Sequence, residues 1–406
     1  MSRYIAYNPE QDWLLPPSIQ DELGSDHLAM FMHRVVERLD LSAFEDRGSD
    51  DGRPAYPPQM LLRVWLYAYA LGVTSSRRLE QRIREDLGFR LLGGNLKPDH
   101  WTLNEFRRRH PRRLNDIFTQ VVEAAREMGL GRLGRVAIDS TRVSASASPD
   151  RSDTPTALRK ERARLRRRIR RWQQECDRDD SEGSGGNVGP AEEWEKRLQT
   201  IPRQLEQLRK SGQKRGSRTD PDSRYLRTRS GFCLGFTAEV AVSDDHVIVA
   251  QRVHQATSDH ASAAEMAEAV ERECGERAQT VLADSGYYNI EQIRRIEANG
   301  SEAIIPDPLL ARELMGGPTA PAMNLRQQRR TPGLQEMRQK LRSERAREHY
   351  RRRKAIVESV FGVLKQQRGM RQFRRRGLEG VSAEWALATS AYNLTRMYAA
   401  AAKIAS

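Results

Sequence analysis

The spacing of apolar residues changes near residue 134, and this change divides the chain into two parts. Between residues 26 and 130, apolar residues recur three and four positions apart, as in DHLAMFMHRVVERL and PPQMLLRVWLYAYALG, which is typical of helices. From residue 134 the segment GRVAIDSTRVSASAS alternates with a period of two, which indicates a strand. The sequence therefore predicts an all-α N-terminal domain over residues 1–130 and a sheet-containing domain over residues 131–400.

The later segments of the chain predict the class of the second domain. GFCLGFTAEVAVS and HVIVAQRVHQA have the composition of two strands, paired through a turn near Asp244. A helix over residues 261–273 then leads to the strand QTVLADSG, and a helix over residues 290–296 leads to the strand SEAIIP. Strands that first run together and then alternate with helices predict an α/β domain, a mixed sheet flanked by helices.

The N-terminal helices allow two interpretations. A helix that begins after Ser75 or Ser76 is followed by the break GGNLKPDH and then by WTLNEFRRRHPRRLNDIF. Two helices joined by a glycine-containing turn resemble a helix-turn-helix, in which Arg107, Arg108 and Arg109 would meet DNA phosphates. A helical packing or dimerisation domain would show the same pattern.

Two basic segments interrupt the α/β pattern. Residues 157–210 contain two apolar stripes at coiled-coil spacing, separated by SEGSGGNVGP, which predicts an antiparallel helical hairpin. Its arginines, Arg166, Arg167 and Arg168 among them, either touch DNA or a second subunit or only coat a charged spacer. Residues 308–346 contain several glycines and prolines and then a basic run, which predicts a mobile basic loop.

The charge of the chain narrows the choice of partner. Lys and Arg number 69 against 55 acidic residues, so the net charge is +14, and nucleic acid is the first polyanion to consider. No stretch approaches the roughly 20 uninterrupted apolar residues of a membrane span, and the N-terminus lacks a secretory signal. We therefore expect an intracellular protein that makes no contact with membranes.

Two aspartates occupy positions where a carboxylate is costly. Asp139 lies inside the apolar strand AID, and Asp284 ends the apolar strand in VLADSG, just before Gly286. Burying an unpaired carboxylate is unfavourable, whereas Mg²⁺ requires oxygen ligands. Either Asp alone is also typical of a strand-end turn or a helix cap. Together they predict a site for divalent cations, which cleave phosphodiesters by activating the attacking oxygen and stabilising the leaving oxygen.

A third carboxylate lies in the helix predicted from YRRRKAIVESVFGVLKQQRG. Glu358 is placed among the apolar positions of this helix, and Lys365 follows seven residues later, so both project from the same side. An ordinary glutamate on an exposed polar stripe is the alternative. We expect Asp139, Asp284 and Glu358 to act together as catalytic metal ligands.

At this point the sequence resembles a known family, the DDE transposases of bacterial insertion sequences with an InsH-like N-terminal domain, and within it the group named insertion sequence eleven eighty-two. The resemblance spans about residues 30 to 400. It rests on the segments YPPQMLLRVWLYAYALG, AIDSTRVSASAS, DPDSRYLRTRSGFCLGFTAEVAV, VLADSGYYN and YRRRKAIVESVFGVLKQQRG.

The resemblance implies an RNase H-like catalytic fold with Asp139, Asp284 and Glu358 as ligands of two Mg²⁺ or Mn²⁺ ions. It implies double-stranded DNA as the partner, both the terminal inverted repeats of the element and the target, a homodimer on DNA, and a cytoplasmic, nucleoid-associated bacterial protein. Metal-dependent cleavage of the transposon ends and transfer of the freed strand to target DNA would be the activity.

The basic residues near Glu358 follow the family signature with one departure. By resemblance, Tyr350, Arg353 and Lys365 contact DNA near the scissile phosphate. The family spacing from Tyr to Glu is seven, whereas it is eight here, so Arg351 or Lys354 can fill those positions instead.

Two rival functions share most of these features. A nuclease on the same fold would cut DNA without joining it, and an inert transposase-derived repressor would only bind DNA. The three carboxylates argue against the repressor, but they do not separate cutting from joining.

Overall fold

The computed structural model describes residues 18–44, 55–181, 191–228, 231–256, 262–321 and 332–405. Seven helices lie in the N-terminal part of these ranges: α1 (Ile19–Leu23), α2 (Leu28–Glu37), α3 (Pro58–Ala70), α4 (Ser76–Glu85), α5 (Leu87–Leu92), α6 (His100–Arg109) and α7 (Pro111–Glu127). Pro57 and Pro58 begin α3, where a missing N–H costs nothing. Pro111 begins α7 and separates it from α6, so the segment WTLNEFRRRHPRRLNDIF forms two helices.

The second part of the chain forms a mixed sheet. Its strands are β1 (Arg135–Ser144), β4 (Arg224–Thr228), β5 (Gly231–Ser243), β6 (Ile248–His254), β7 (Thr280–Leu282) and β8 (Glu302–Ile304), while β2 (Ser152–Asp153) and β3 (Gly216–Ser217) pair separately. β1 lies between β5, to which it is antiparallel, and β7, to which it is parallel. β6 pairs with the other edge of β5, and β8 runs parallel to β7. The α/β class expected from the sequence is confirmed at the level of a mixed sheet flanked by helices.

Helices connect and cover the strands. They are α10 (Ala263–Cys274), α11 (Ile290–Ala298), α12 (Pro308–Leu314), α13 (Pro332–Lys340), α14 (Glu344–Gly362) and α15 (Leu378–Ala405), with a π-helical turn over Val363–Gln367. α15 is absent from the expectations because its apolar residues surround the whole helix, without a polar face to reveal the period. Its tryptophan, Trp385, is fully buried.

α15 joins the N-terminal helices to the sheet. It packs against α3, α7 and β6, and residues from all of these elements belong to one continuous hydrophobic core. The two parts of the chain predicted from periodicity therefore share a core.

The basic segment over residues 157–210 consists of two long helices, α8 (Pro155–Ser181) and α9 (Ala191–Ser211). They pack through a small core of their own, formed by Leu158, Leu165, Ile201 and Leu208, which belong to the apolar stripes seen in the sequence. Most of the connecting segment SEGSGGNVGP lies outside the described residues.

The expected loop over residues 308–346 is wrong for the residues that the structure describes. α12 and α13 lie within it, and α14 begins at Glu344. Arg338 of α13 is buried and donates two hydrogen bonds of 2.9 Å to the Asp307 carboxylate. This buried ion pair fixes α13 in place, so the basic composition of the segment was misleading. Residues 322–331 lie outside the described ranges.

We expect Asn393→Ala to destabilise the protein strongly. The Asn393 side chain is fully buried, accepts a hydrogen bond from Ile248 N (2.9 Å) and donates one to Ile248 O (2.8 Å). The substitution leaves two buried backbone groups unpaired, which costs about 2 kcal/mol or more of unfolding free energy. Urea denaturation of the variant measures the loss. Asn115→Ala, which removes one hydrogen bond to Pro111 O from a half-buried side chain, is the control, and equal losses would contradict the expectation.

Candidate active site

Asp139 and Asp284 lie at equivalent positions on neighbouring parallel strands. Ala137 of β1 is in register with Leu282 of β7, so the residues two positions further along each chain are Asp139 and Asp284. Residues in register on adjacent strands project from the same face of the sheet, and parallel strands are about 4.8 Å apart. The two carboxylates therefore converge at one place, on the face covered by α14.

The local turn after β7 fixes the Asp284 carboxylate. Its Oδ1 atom accepts a hydrogen bond from Gly286 N at 2.9 Å and caps a single helical turn over Ser285–Tyr287. A Cβ atom at position 286 would lie 2.9 Å from Asp284 Oδ1, which is too close. Gly286 is therefore needed for the carboxylate to keep this orientation.

Arg353 and Tyr350 of α14 bring a cation and a phenol to the two aspartates. Arg353 Nη1 lies 3.7 Å from Asp139 Oδ2, and its Nε atom is buried without a hydrogen-bond partner among the described residues. Burial raises the pKa of the Tyr350 phenol; the Arg353 charge opposes this shift, while the Asp284 and Asp139 charges add to it. Tyr350 thus lies within electrostatic reach of all three charged groups.

Glu358 lies on a different side of α14. Its side chain is 61% exposed, and Oε1 lies 3.7 Å from Nζ of Lys354, one turn earlier in the same helix. The neighbouring Val357 and Val360 are fully buried, so the helix is fixed on the sheet by residues that flank Glu358. In this conformation the third predicted carboxylate does not join the first two.

The Lys365 side chain is hydrogen-bonded to the sheet. It lies in the π-helical turn, where its Nζ donates hydrogen bonds to Thr141 Oγ1 (2.7 Å) and to Arg142 O (3.2 Å). Burial lowers the pKa of the Lys365 ammonium. This lysine therefore ties the end of α14 to β1, just beyond Asp139.

The donor set fits a hard divalent cation in part. Asp139 within β1 and Asp284 just after β7 offer carboxylate oxygens on neighbouring segments, which is the chemistry that Mg²⁺ and Mn²⁺ prefer. Over the described ranges, however, no group of three or more His, Cys, Asp or Glu side chains is arranged to hold a metal ion. Two of the three predicted ligands are thus preassembled, and Glu358 would have to move.

The three N-terminal arginines proposed to meet DNA differ from one another. Arg107 is buried, donates a hydrogen bond to Tyr69 OH (2.6 Å) and stacks over Trp65, so its expected phosphate contact is not available in this structure. Arg108 and Arg109 are exposed, but both bind the Glu105 carboxylate. The hydrogen bond from Arg108, reinforced by Arg109, lowers the pKa of Glu105 to about 2.

The arginines of α8 form an open basic groove. Arg159, Arg162, Arg166, Arg167 and Arg170 line it, around a volume of about 390 Å³. Arg168 points elsewhere and stacks over the Trp194 ring at 4.0 Å. Among the predicted contact residues, Arg166 and Arg167 are therefore the two that the structure presents together on one surface.

Comparison with family models identifies two transposase domains in the chain. Residues 204–394 match the model of the transposase DDE domain, and residues 17–109 match the model of a transposase domain (DUF772). The first match includes Asp284 and Glu358, whereas Asp139 lies outside it. These matches support a DDE transposase, a nuclease-type enzyme.

Neither the curated proteins nor the solved structures contain a significant match to the chain. No helix in the described ranges is long and apolar enough to cross a membrane.

We expect Lys365→Met to loosen the π-helical turn. The substitution keeps the length of the side chain but removes both donors to β1, so the backbone amides of residues 364–370 should exchange hydrogen faster and the melting temperature should fall. Lys354→Met is the matched control, because Lys354 is 57% exposed and contacts only Glu358 among the salt bridges of the described residues. Hydrogen exchange that is unchanged in Lys365→Met would mean that the lysine does not hold this turn.

Proposed function

We propose that the protein is a DDE transposase of an insertion sequence, which cuts the ends of its element and joins them to target DNA. The observation that carries the proposal is the pair formed by Asp139 of β1 and Asp284 after β7, each two residues beyond the last registered pair of these strands, Ala137 and Leu282, in a chain with two transposase domain matches. The position of β1 between an antiparallel and a parallel neighbour supports the RNase H-like fold that the sequence resemblance implies.

The proposed reaction has two steps at phosphorus. In the first, water attacks a phosphodiester at the end of the element, the bond to the 3′-oxygen breaks, and a free 3′-hydroxyl is formed. In the second, that hydroxyl attacks a phosphodiester of target DNA and displaces a second 3′-oxygen. Two Mg²⁺ or Mn²⁺ ions held by Asp139, Asp284 and Glu358 would activate the attacking oxygen and stabilise the leaving oxygen.

Three residues of α14 have distinct parts in this proposal. Arg353 forms an ion pair with Asp139, and its buried Nε has no hydrogen-bond partner among the described residues. We propose that Arg353 leaves Asp139 and binds a DNA phosphate instead. Glu358 must leave Lys354 to reach the aspartates, and Lys354 then becomes free to bind phosphate. The exposed pair of Glu358 and Lys354 is worth about 0 to 1 kcal/mol, whereas Arg353 and Asp139 are mostly buried and would each need a new partner of opposite charge.

The basic surfaces supply affinity for the DNA of the element ends and of the target. The groove over Arg166 and Arg167 is open to solvent and contains no carboxylate in its lining, whereas Arg108 and Arg109 share the Glu105 carboxylate, which offsets one of their two charges. We therefore assign the larger share of phosphate contacts to the α8 groove. A homodimer would present two such grooves, one for each end of the element.

We expect Asp139→Asn, Asp284→Asn and Glu358→Gln each to reduce cleavage of end DNA at least a hundredfold, because each removes an anionic ligand while keeping the shape of the side chain. Binding of the same DNA in Ca²⁺ should persist, since affinity comes from basic residues. Sequencing the products formed with Mg²⁺ measures cleavage and, in the same assay, strand transfer to target DNA.

Two exposed glutamates of the same helix, Glu344 and Glu348, provide matched controls. Glu344→Gln and Glu348→Gln should cleave at the wild-type rate. Near wild-type cleavage by Glu358→Gln would show that Glu358 is not a catalytic metal ligand. Cleaved ends without joined products would favour the hydrolytic nuclease, and DNA binding without any cleavage would favour the repressor.

We expect replacement of Arg166, Arg167 and Arg170 by Gln to make DNA binding less sensitive to salt. Each phosphate that the variant no longer binds should reduce the slope of log affinity against log salt by about 0.9, so the three substitutions together would reduce it by about 2 to 3. The slope is measured by titrating labelled end DNA at several KCl concentrations. Lys196→Gln with Lys210→Gln on the other arm is the control, because each lysine is paired with a glutamate of its own helix. An unchanged slope in the arginine variant would indicate that the hairpin is a spacer that does not bind DNA phosphates.

A further inference from the structure

One buried carboxylate near the candidate active site has no part in the function proposed so far. Glu239 of β5 is fully buried. Its Oε1 accepts hydrogen bonds from Ser262 Oγ (2.6 Å) and Tyr287 OH (3.2 Å), and its Oε2 accepts two from Arg252, at 3.1 and 2.9 Å. His254 Nε2 lies 3.3 Å from the same Oε2.

The groups around Glu239 hold the pKa of its carboxyl below the ordinary value despite its burial. Burial alone would raise its pKa, but the contact with His254, together with Ser262 and Arg252, outweighs this effect and lowers the pKa. A buried ionised carboxylate needs several donors, and hydrogen bonds to it are stronger than those between neutral groups. Arg252 is shared between Glu239 and Glu265, and Tyr287 adds a neutral hydroxyl donor to the Glu239 carboxylate.

Glu239 is connected to both candidate metal ligands, to Asp139 through the strand register and to Asp284 through Tyr287. Glu239 is in register with Ser140, the residue after Asp139, so the Glu239 side chain projects from the face of the sheet opposite to Asp139. Tyr287 comes from the turn that Asp284 caps, and its N–H donates a hydrogen bond to Asp284 O at 3.1 Å. The fully buried Tyr287 side chain therefore runs from the β7 end, across β1, to β5.

We propose that Glu239 is a positioning residue that acts through Tyr287 to hold Asp284 level with Asp139. The assignment rests on the proposed function, because it gives Asp284 the part of a metal ligand. β7 pairs with β1 over only three residues and ends at Leu282, so the strand pairing stops before Asp284. The bond between Tyr287 and Glu239 replaces the missing pairing and limits the movement of the turn.

Tyr287→Phe tests the inference with the loss of one hydroxyl. Tyr69→Phe is the control for the loss of a buried hydroxyl, because Tyr69 of α3 is as buried as Tyr287 and donates to the buried Glu384 carboxylate of α15 at 3.3 Å, while also accepting a hydrogen bond from Arg107. Both variants should fold, and thermal melting without metal measures the cost of losing a buried hydroxyl. A purely structural role for Tyr287 would make the two variants alike in every other measurement.

Two readouts distinguish a positioning role. The first is the midpoint of Mn²⁺ binding at a fixed temperature, measured by titration calorimetry; we expect it to increase at least fivefold in Tyr287→Phe and to stay unchanged in Tyr69→Phe. The second is cleavage of end DNA, which should fall about tenfold at limiting Mn²⁺, because displaced ligands lose rate, and should recover in large part at high Mn²⁺.

The outcomes separate this inference from the proposed function. Equal Mn²⁺ midpoints for Tyr287→Phe and the wild type would overturn the positioning role, even if the wild type cuts and joins DNA. A raised Mn²⁺ midpoint in Tyr287→Phe, together with wild-type protein that neither cuts nor joins DNA, would overturn the proposed transposase function. It would still support the positioning of Asp284 by Tyr287. Wild-type protein that shows no response to Mn²⁺ would overturn both.

Discussion

The pairing of β1 on both edges is the constraint on which the candidate site depends. On one edge β1 is held by nine consecutive partners of β5, from Val136 opposite Ser243 to Ser144 opposite Gly235. On the other edge it is held by only three partners of β7. Asp139 is thus fixed by a long ladder, while Asp284 follows a short one. Backbone hydrogen bonds to β5 hold Asp139 in place. Side-chain contacts therefore have to hold Asp284 in place after the end of β7.

Charge compensation by a single helix explains the state of two of the three predicted ligands, Asp139 and Glu358. α14 contributes Arg353 to Asp139 and Lys354 to Glu358, so in this structure each of these carboxylates has a cation beside it. A divalent cation would replace both contacts at once, because it concentrates more charge among the carboxylates than either side chain can. If the protein binds metal and DNA as proposed, competition between side-chain cations and metal ions would couple the position of α14 to both.

The sequence predicted regular elements well where one residue spacing dominated. The strands β1, β5 and β6 and the helices α3 and α8 were predicted from their apolar residues, although β5 and α3 are buried on nearly all sides. α15, which is also buried on nearly all sides, was missed, and residues 308–346 were misread because composition does not reveal a pair such as Asp307 with Arg338. Asp139 and Asp284 could be found as acids inside apolar strands. Glu239 gives the same signal in GFTAEVAV, yet its donors come from residues distant in sequence, which only the fold brings together.

The interpretation of the basic residues changes once their partners are known. Arg107, Arg108 and Arg109 are adjacent in sequence, but one is buried against Trp65 and the other two share the single negative charge of Glu105, so only part of their charge is available to a polyanion. The arginines of α8 recur at helical spacing on a surface whose opposite side packs on α9. Because α8 and α9 form a small core of their own, this hairpin can stay folded while its arginines point away from the sheet. The net charge of +14 is therefore a weaker guide to a DNA-binding surface than the distribution of glutamates beside the arginines.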